Sequence, residues 1–484
     1  MERNGMMERL TSFLARTRGP VSGGDEVVAQ ARELLEQAYV HLPDDALTEV
    51  APLGRLEALQ RALPSERSQL HRELLAVFAR LGDRHTHCAL PEPFASHVAF
   101  LPFLVGEFLE GEFPRVTVLD SAVEALERGD ILVSWNGAAL AEVLGRHRAW
   151  QHGAHPEARH AKAVQTLTFR PLSMLPPPDE EAVVLECVSA RGMHKEVRLV
   201  WQVADAAWLA RHFASSLSGA SEVRLENEGA LLARRVDTSR GTFGYIRVDS
   251  FAGRPEVVLE QFTRALTDMP HQGVILDLRR CEDGIVRSGE RLLQLFTSRR
   301  IQPQPFQFRL TPLTTSLVRS VPALAEWRGA VERAAAQGRT FSEALPLTPV
   351  AEANGLGRKY TGAVVLLTSA LTYSTAEMFA AGFQDHGIGR VVGTAARTGG
   401  GGASPWPQST LFKLSGSDAF RPLPEGPRFR VAVRRCQRVH ARAGLPLERE
   451  GVVPDVLHAP TRADLLHGER DLLEVAGEVL TGMR

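Results

Sequence analysis

The sequence predicts an α/β protein with a mostly parallel sheet and an added β-rich portion, and three observations carry that prediction. Val364, Val365, Leu366 and Leu367 form an unbroken apolar run, the pattern of a strand covered on both faces. Met378, Phe379, Ala380 and Phe383 then recur at roughly helical spacing, so the strand passes through a short loop into a helix that begins at Ser374. Upstream, alternating strand-like runs end in turn signals, which marks a separate β-rich segment.

Taken in order, Leu70, Leu74, Val77, Phe78 and Leu81 form an apolar stripe. They predict a helix that stops near Gly82, with His85 following in a loop. In GDILVSWNG (129–137), Ile131 and Val133 alternate with Leu132 and Ser134 before Asn-Gly, the strongest short hairpin signal. AVVLECV (182–188) and EVRLVWQV (196–203), joined by a short glycine-containing connection, predict a second hairpin. Pro171, Pro176, Pro177 and Pro178 mark an irregular stretch ahead of it.

Ser374 stands where chemistry is favoured. A hydroxyl at a helix N-terminus lies near unpaired backbone N–H groups, and the macrodipole there favours negative charge by about 0.3–2 kcal/mol. Serine is also a preferred N-cap, so position alone leaves a capping role open. The glycine run 399–402 leads into Ala403, Ser404 and Pro405 without a lysine, which excludes a phosphate-binding P-loop. Backbone without side chains there suits close approach of an extended peptide gripped by strand addition.

Composition narrows the function classes. The 484 residues suffice for about three domains. A net charge of −1 supplies no bulk field for nucleic acid or a membrane surface. Cys88, Cys187, Cys281 and Cys436 are scattered, indicating neither a disulfide framework nor a zinc site. The dispersed histidines show no metal-ligand spacing. MERNGMMERLTSFLARTRGP is too polar for a signal-peptide core, and no run approaches the roughly 20 apolar residues of a membrane span. A cytoplasmic location is the expectation, with export left open.

Five segments in order, GTFGYIRVDSF (241–251), GVILDLRR (273–280) with Gly284, the Ser374 segment, RVVGTAARTGGGGAS (390–404) and EREGVVPDV (448–456), resemble the C-terminal processing and tricorn-like serine peptidases, the tail-specific protease family. LGDRHTH (81–87) is similar to that family's Asp-x-His-Thr motif. LPFLVGEFLEGEFPRVTVL (101–119) with ALERGDILVSWNG (125–137) is similar to its PDZ-like module. The resemblance implies a crotonase/ClpP-like α/β catalytic core, a PDZ-like β-rich module and an amino-terminal helical domain. The corresponding boundaries are 1–95 for the helical domain, 96–205 for the PDZ-like domain, and 206–484 for a linker and the peptidase core.

The same resemblance implies the site. The processing-protease branch draws its base from a lysine after the serine, but Gly399 stands there and no lysine lies between Ser374 and Lys413. The tricorn-like branch takes a histidine from the amino-terminal region, oriented by an acid near the carboxyl end, and His85 and Glu448 match. His87 and Glu450 are the neighbouring alternatives. The oxyanion donors would be the amides of Gly284 and Thr375, although the usual glycine-rich turn reads Arg280-Cys281-Glu282-Asp283-Gly284. These roles imply hydrolysis of a peptide or unfolded protein through an acyl-enzyme, with no metal or organic cofactor and with homo-oligomer formation open. A non-catalytic member binding a peptide or apolar ligand is the alternative. A crotonase-type acyl-CoA enzyme, which shares the core architecture, is a more distant one.

Overall fold

The computed structural model describes residues 7–212, 231–423 and 426–483. Residues 213–230, within the linker expected to open the 206–484 segment, lie outside the described residues. The chain divides into two compact units: Met1–His152 with Arg159–Glu222 and Pro405–Val431, and Gly153–Ala158 with Val223–Ser404 and Ala432–Arg484.

The first unit opens with the helices Leu10–Thr17, Gly24–Ala38, Pro52–Arg61 and Arg67–Arg80. The expected stripe is buried along Arg67–Arg80, and Gly82 follows in the left-handed region at φ 69°. Only a residue without Cβ takes that conformation cheaply, so the helix stops where the sequence indicates. Phe78, on this helix, stacks on Phe429 with ring centroids 5.4 Å apart.

Two antiparallel sheets complete this unit. One has the order His194–Val200, Ala182–Val188, Ile131–Trp135, Phe113–Ser121, Phe103–Glu110, with Ala138–Ala139 also pairing Ile131–Trp135. Asn136 and Gly137 turn that last hairpin with φ 52° and 73°, the double positive φ of a type I′ turn. The other sheet has the order Met7–Arg9, Gln202–Asp205, His97–Phe100, Phe169–Pro171. The run expected as one strand over 196–203 therefore divides at Trp201. Its side chain is fully buried, lies 6.2 Å from the Trp135 ring and receives the Arg170 guanidinium on its face. Burial of the largest side chain at this position outweighs strand continuity, and residues 202–205 leave for the second sheet.

The second unit is built on a sheet of order Leu231–Thr238, Gly241–Val248, Val274–Asp277, Val364–Thr368, Arg390–Gly393, Val456–Leu457. All neighbours are parallel except the first pair, and the register sets Val274 beside Val364 and Leu366 beside Val391. Every residue of Val364–Thr368 is buried, as the unbroken apolar run predicts. Alternate residues Ile275, Val365, Leu367 and Val392 join Phe243 and Tyr245 in one cluster with Leu472, Ala476 and Leu480 of the helix Arg470–Gly482. The helices Val286–Leu293 and Thr375–Asp385 pack on each other. Their approach needs glycine: a Cβ on Gly289 would lie 2.9 Å from Thr375 Cγ2, and one on Gly382 would lie 2.6 Å from Leu293 Cδ1.

Acid sensitivity follows from buried histidines. Burial lowers His71 to about 4 and His85, His147 and His152 to about 3, all in the first unit, and it also lowers His386 in the second. The unfolded chain takes up these protons near pH 6.5 and the folded chain does not, so the stability is complete above that value and is lost as pH falls towards 3–4. Hydrogen exchange between pH 6.5 and 4 should show amides of the first unit losing protection ahead of the second, and simultaneous loss would contradict this.

Candidate active site

Adjacent parallel strands deliver two of the expected residues. The chain leaves the carboxyl end of Val274–Asp277 towards Gly284 and the carboxyl end of Val364–Thr368 towards Ser374, the edge of an open α/β sheet where ligands bind. Hydrogen bonds hold these two exits together. Thr372 Oγ1 donates to the Leu278 carbonyl at 2.9 Å, Ser369 Oγ to the Arg279 carbonyl at 2.6 Å, and the Tyr373 amide to the Cys281 carbonyl at 3.1 Å. The first exit is anchored beneath by the buried Asp277 carboxylate. It accepts from Tyr245 Oη at 2.7 Å and Arg279 Nη2 at 2.6 Å, and Arg279 also reaches Glu469 at 2.6 Å.

Ser374 occupies the N-cap position of Thr375–Asp385 at φ 61°, ψ −130°, and its side chain makes no capping hydrogen bond. A non-glycine residue pays about 1–3 kcal/mol for such a conformation, and it persists only where the surroundings impose it. Here the Ser374 amide donates to the Gly401 carbonyl at 3.0 Å and its carbonyl accepts from the Met378 amide at 2.9 Å. Thr375 is the first helical residue and is buried.

Gly284 has φ 139°, and a Cβ there would lie 2.3 Å from Phe251 Cβ and 2.8 Å from the Phe251 backbone. The one glycine kept in this turn is thus the one that sterics demand. Of the two acids before it, Asp283 is exposed and accepts a hydrogen bond from Ser250 Oγ.

The sequence reading overlooked Glu377. Ser-Thr-Ala-Glu has capping-box spacing, in which the glutamate would reach back to the N-cap amide. The fully buried Glu377 carboxylate instead accepts from Thr398 Oγ1, from the Gly400 amide at 2.7 Å and from the Gly401 amide at 2.5 Å. Thr398 Oγ1 in turn accepts from the Val452 amide at 2.7 Å, and the Arg449 amide donates to the Gly400 carbonyl at 3.0 Å. One carboxylate thereby joins the Ser374 helix, the glycine run and the 449–452 segment. His155 Nε2 holds the Thr398 carbonyl at 2.6 Å from a further side.

The glycine run has a different physical cause from the one expected. A Cβ on Gly401 would lie 1.9 Å from Tyr373 Cζ, one on Gly399 2.7 Å from the same ring, and one on Gly402 2.6 Å from Leu447. The space free of side chains is filled by this protein's own Tyr373 and Leu447.

Glu448 is buried, and its Oε1 accepts from the Cys436 amide at 2.9 Å. Burial, reinforced by the carboxylates of Glu448, Glu290 and Glu377, pushes the Cys436 thiol up. Glu450 is mostly exposed and pairs with Arg397 at 3.7 Å. His85 and His87 belong to the first unit. His85 is buried in the loop after Gly82. Burial lowers it to about 3, with Arg430, Arg84 and His87 acting in the same direction and Asp83 opposing. His87 begins the strand His87–Ala89, its Nδ1 donating to the Arg84 carbonyl at 3.1 Å and its ring facing His152. The structure therefore joins Ser374, Thr375, the Gly284 turn and the Glu448 segment within the second unit. Among the described residues no group of three or more His, Cys, Asp or Glu side chains is placed to hold a metal ion, and no helix is long and apolar enough to cross a membrane.

Replacing Gly401 by alanine should destabilise the second unit by about 1–3 kcal/mol, the usual range for overpacking, because the Tyr373 ring must move. Gly54→Ala, in the helix Pro52–Arg61 with nothing within 4 Å of the new Cβ, should carry no such penalty. Urea denaturation of both variants checks the contrast.

Residues 242–457 match the family model described as peptidase family S41. Among solved structures, mature CPAF complexed with lactacystin is similar to 95% of this chain over 100% of its own, at 17% identity and TM-score 0.70. A second structure, the photosystem II D1 C-terminal processing protease, aligns over 95% of this chain and 98% of its own at 16% identity and TM-score 0.43. No curated protein matches the chain. At 17% identity the likeness to CPAF concerns the fold, and residues 242–457, which carry Ser374, Gly284 and Glu448, are the part of the chain that is similar to peptidase family S41.

Proposed function

We propose that the protein is a serine peptidase that works without a catalytic lysine. Ser374 attacks the scissile carbonyl, His85 accepts the hydroxyl proton and returns it to the leaving amine, and Glu448 orients the imidazole. The amides of Gly284 and Thr375 stabilise the tetrahedral oxyanion, and water then releases the acyl group. The substrate is a peptide or an unfolded protein segment.

The observation that carries this reading is the backbone of Ser374, held at positive φ at the mouth of a helix with its side chain not used as a cap. A serine serving the fold as a cap would sit in the extended region and bond the first-turn amides. Three further features support it. Gly284 is sterically required beside Phe251. Burial lowers His85 to about 3, so its ring is neutral across the physiological range and proton transfer to it calls for a negative charge nearby. Glu448 is buried where Glu450 is exposed, which favours the former as the acid.

Labelling by a serine-reactive fluorophosphonate tests the reading. Ser374→Ala and His85→Ala should lower labelling or peptide hydrolysis by about 10⁴-fold or more, Glu448→Gln by up to about 10⁴-fold, and Glu450→Gln should leave both near wild type. Lactacystin, which a CPAF structure holds in complex, should compete with the label. A folded wild type that neither labels nor cleaves would replace this reading with the non-catalytic binding one.

A further inference from the structure

We propose that Asp83 is a positioning residue that holds the proton of His85 on Nδ1, which makes Nε2 the acceptor nitrogen of the ring. The assignment rests on the serine-peptidase reading above and adds a second carboxylate to it, supplied by the histidine's own loop.

The geometry begins at Gly82. Its left-handed φ of 69° ends the helix Arg67–Arg80 and turns the chain so that Asp83 folds back over the next three residues. Asp83 Oδ1 accepts from the His85 amide at 2.8 Å, and Oδ2 accepts from Thr86 Oγ1 at 2.7 Å. This is the local hydrogen bonding by which aspartate shapes a turn. Thr86 is fully buried, so the carboxylate is fixed at both oxygens. That fixing sets His85 Nδ1 4.0 Å from Asp83 Oδ1, too far for a hydrogen bond and close enough for a strong charge interaction in a buried place.

The surrounding charges make this contact matter. Arg430, from the strand Arg428–Cys436, and Arg84 and His87, from the loop itself, all oppose a proton on His85. Asp83 favours it; burial works against the Asp83 carboxylate, but His85, His41 and the Thr86 and His85 hydrogen bonds outweigh it and hold its carboxyl below the ordinary range. Nearby, His41 pairs with Asp44 at 3.3 Å, and His152 faces His87. A negative charge beside Nδ1 stabilises the Nδ1–H tautomer and then the imidazolium that forms during the reaction, which is what an orienting acid does in a serine-histidine-acid site.

Asp83→Asn isolates the charge, because its side-chain carbonyl can still accept from the His85 amide. In the full chain labelled with ¹⁵N-histidine, the His85 imidazole spectrum at neutral pH should move from the Nδ1–H form towards a mixture. The fluorophosphonate labelling rate should fall at least about tenfold, against up to about 10⁴-fold for loss of a sole orienting acid. Asp83→Glu should restore part of both, and Thr86→Val, which keeps the charge but frees one oxygen, should cost less than Asp83→Asn. A wild-type rate and spectrum in Asp83→Asn would overturn the proposal. A wild type that does not label, with the Asp83→Asn spectrum still shifted, would remove the serine-peptidase reading while leaving the hold of Asp83 on the ring in place.

Discussion

The Glu377 carboxylate is the constraint on which the candidate site depends. Three donors from residues 398–401 converge on it where it is fully buried, and leaving any of them unpaired there would cost about 1–3 kcal/mol. Because Glu377 sits one turn after Ser374, the loop it holds must pass close to the helix start. The Gly401 carbonyl is then in place to receive the Ser374 amide, and the backbone of the serine is drawn into a conformation it would not adopt alone. The strain at Ser374 and the order of the glycine run are two sides of one electrostatic arrangement.

A buried carboxylate with three donors must also exclude competitors. Tyr373 and Leu447 lie against the glycines so closely that no side chain fits, which keeps the network buried and strengthens each of its hydrogen bonds. The Asp277 cluster does comparable work one strand away. Tyr245 and Arg279 saturate its oxygens and fix the chain leading to Gly284. Two charged knots under two adjacent strand ends thus set the positions of the Ser374 segment and the Gly284 turn.

Much of this was legible in the sequence because it depends on period and sterics. The strand Val364–Thr368, the helix that follows it, the stop at Gly82 and the Asn136-Gly137 turn are local patterns with one physical solution each. The division at Trp201 was not legible, since it arises from Trp135 and Arg170, distant in sequence. Glu377 was hidden for a related reason: its spacing from Ser374 indicates a cap, and only the folded chain shows that its partners lie more than twenty residues away. The glycine run was recognised as a place where side chains are excluded, but the excluding body could not be read from neighbours along the chain. Glu448 and Glu450, indistinguishable by spacing, differ because one side chain turns inward to the Cys436 amide and the other outward to Arg397.

The way the chain is apportioned between its two units has a consequence for biosynthesis. The first unit takes its last segment from Pro405–Val431, and the second is interrupted twice before it ends near the carboxyl terminus. A chain emerging from the ribosome therefore cannot complete the first unit until residues 405–431 have been made, and the second waits for residues 432–484. Strand edges and apolar faces stay uncovered through most of translation, a long window for off-pathway association. Truncation ahead of Pro405 would leave both units incomplete rather than shorten one of them.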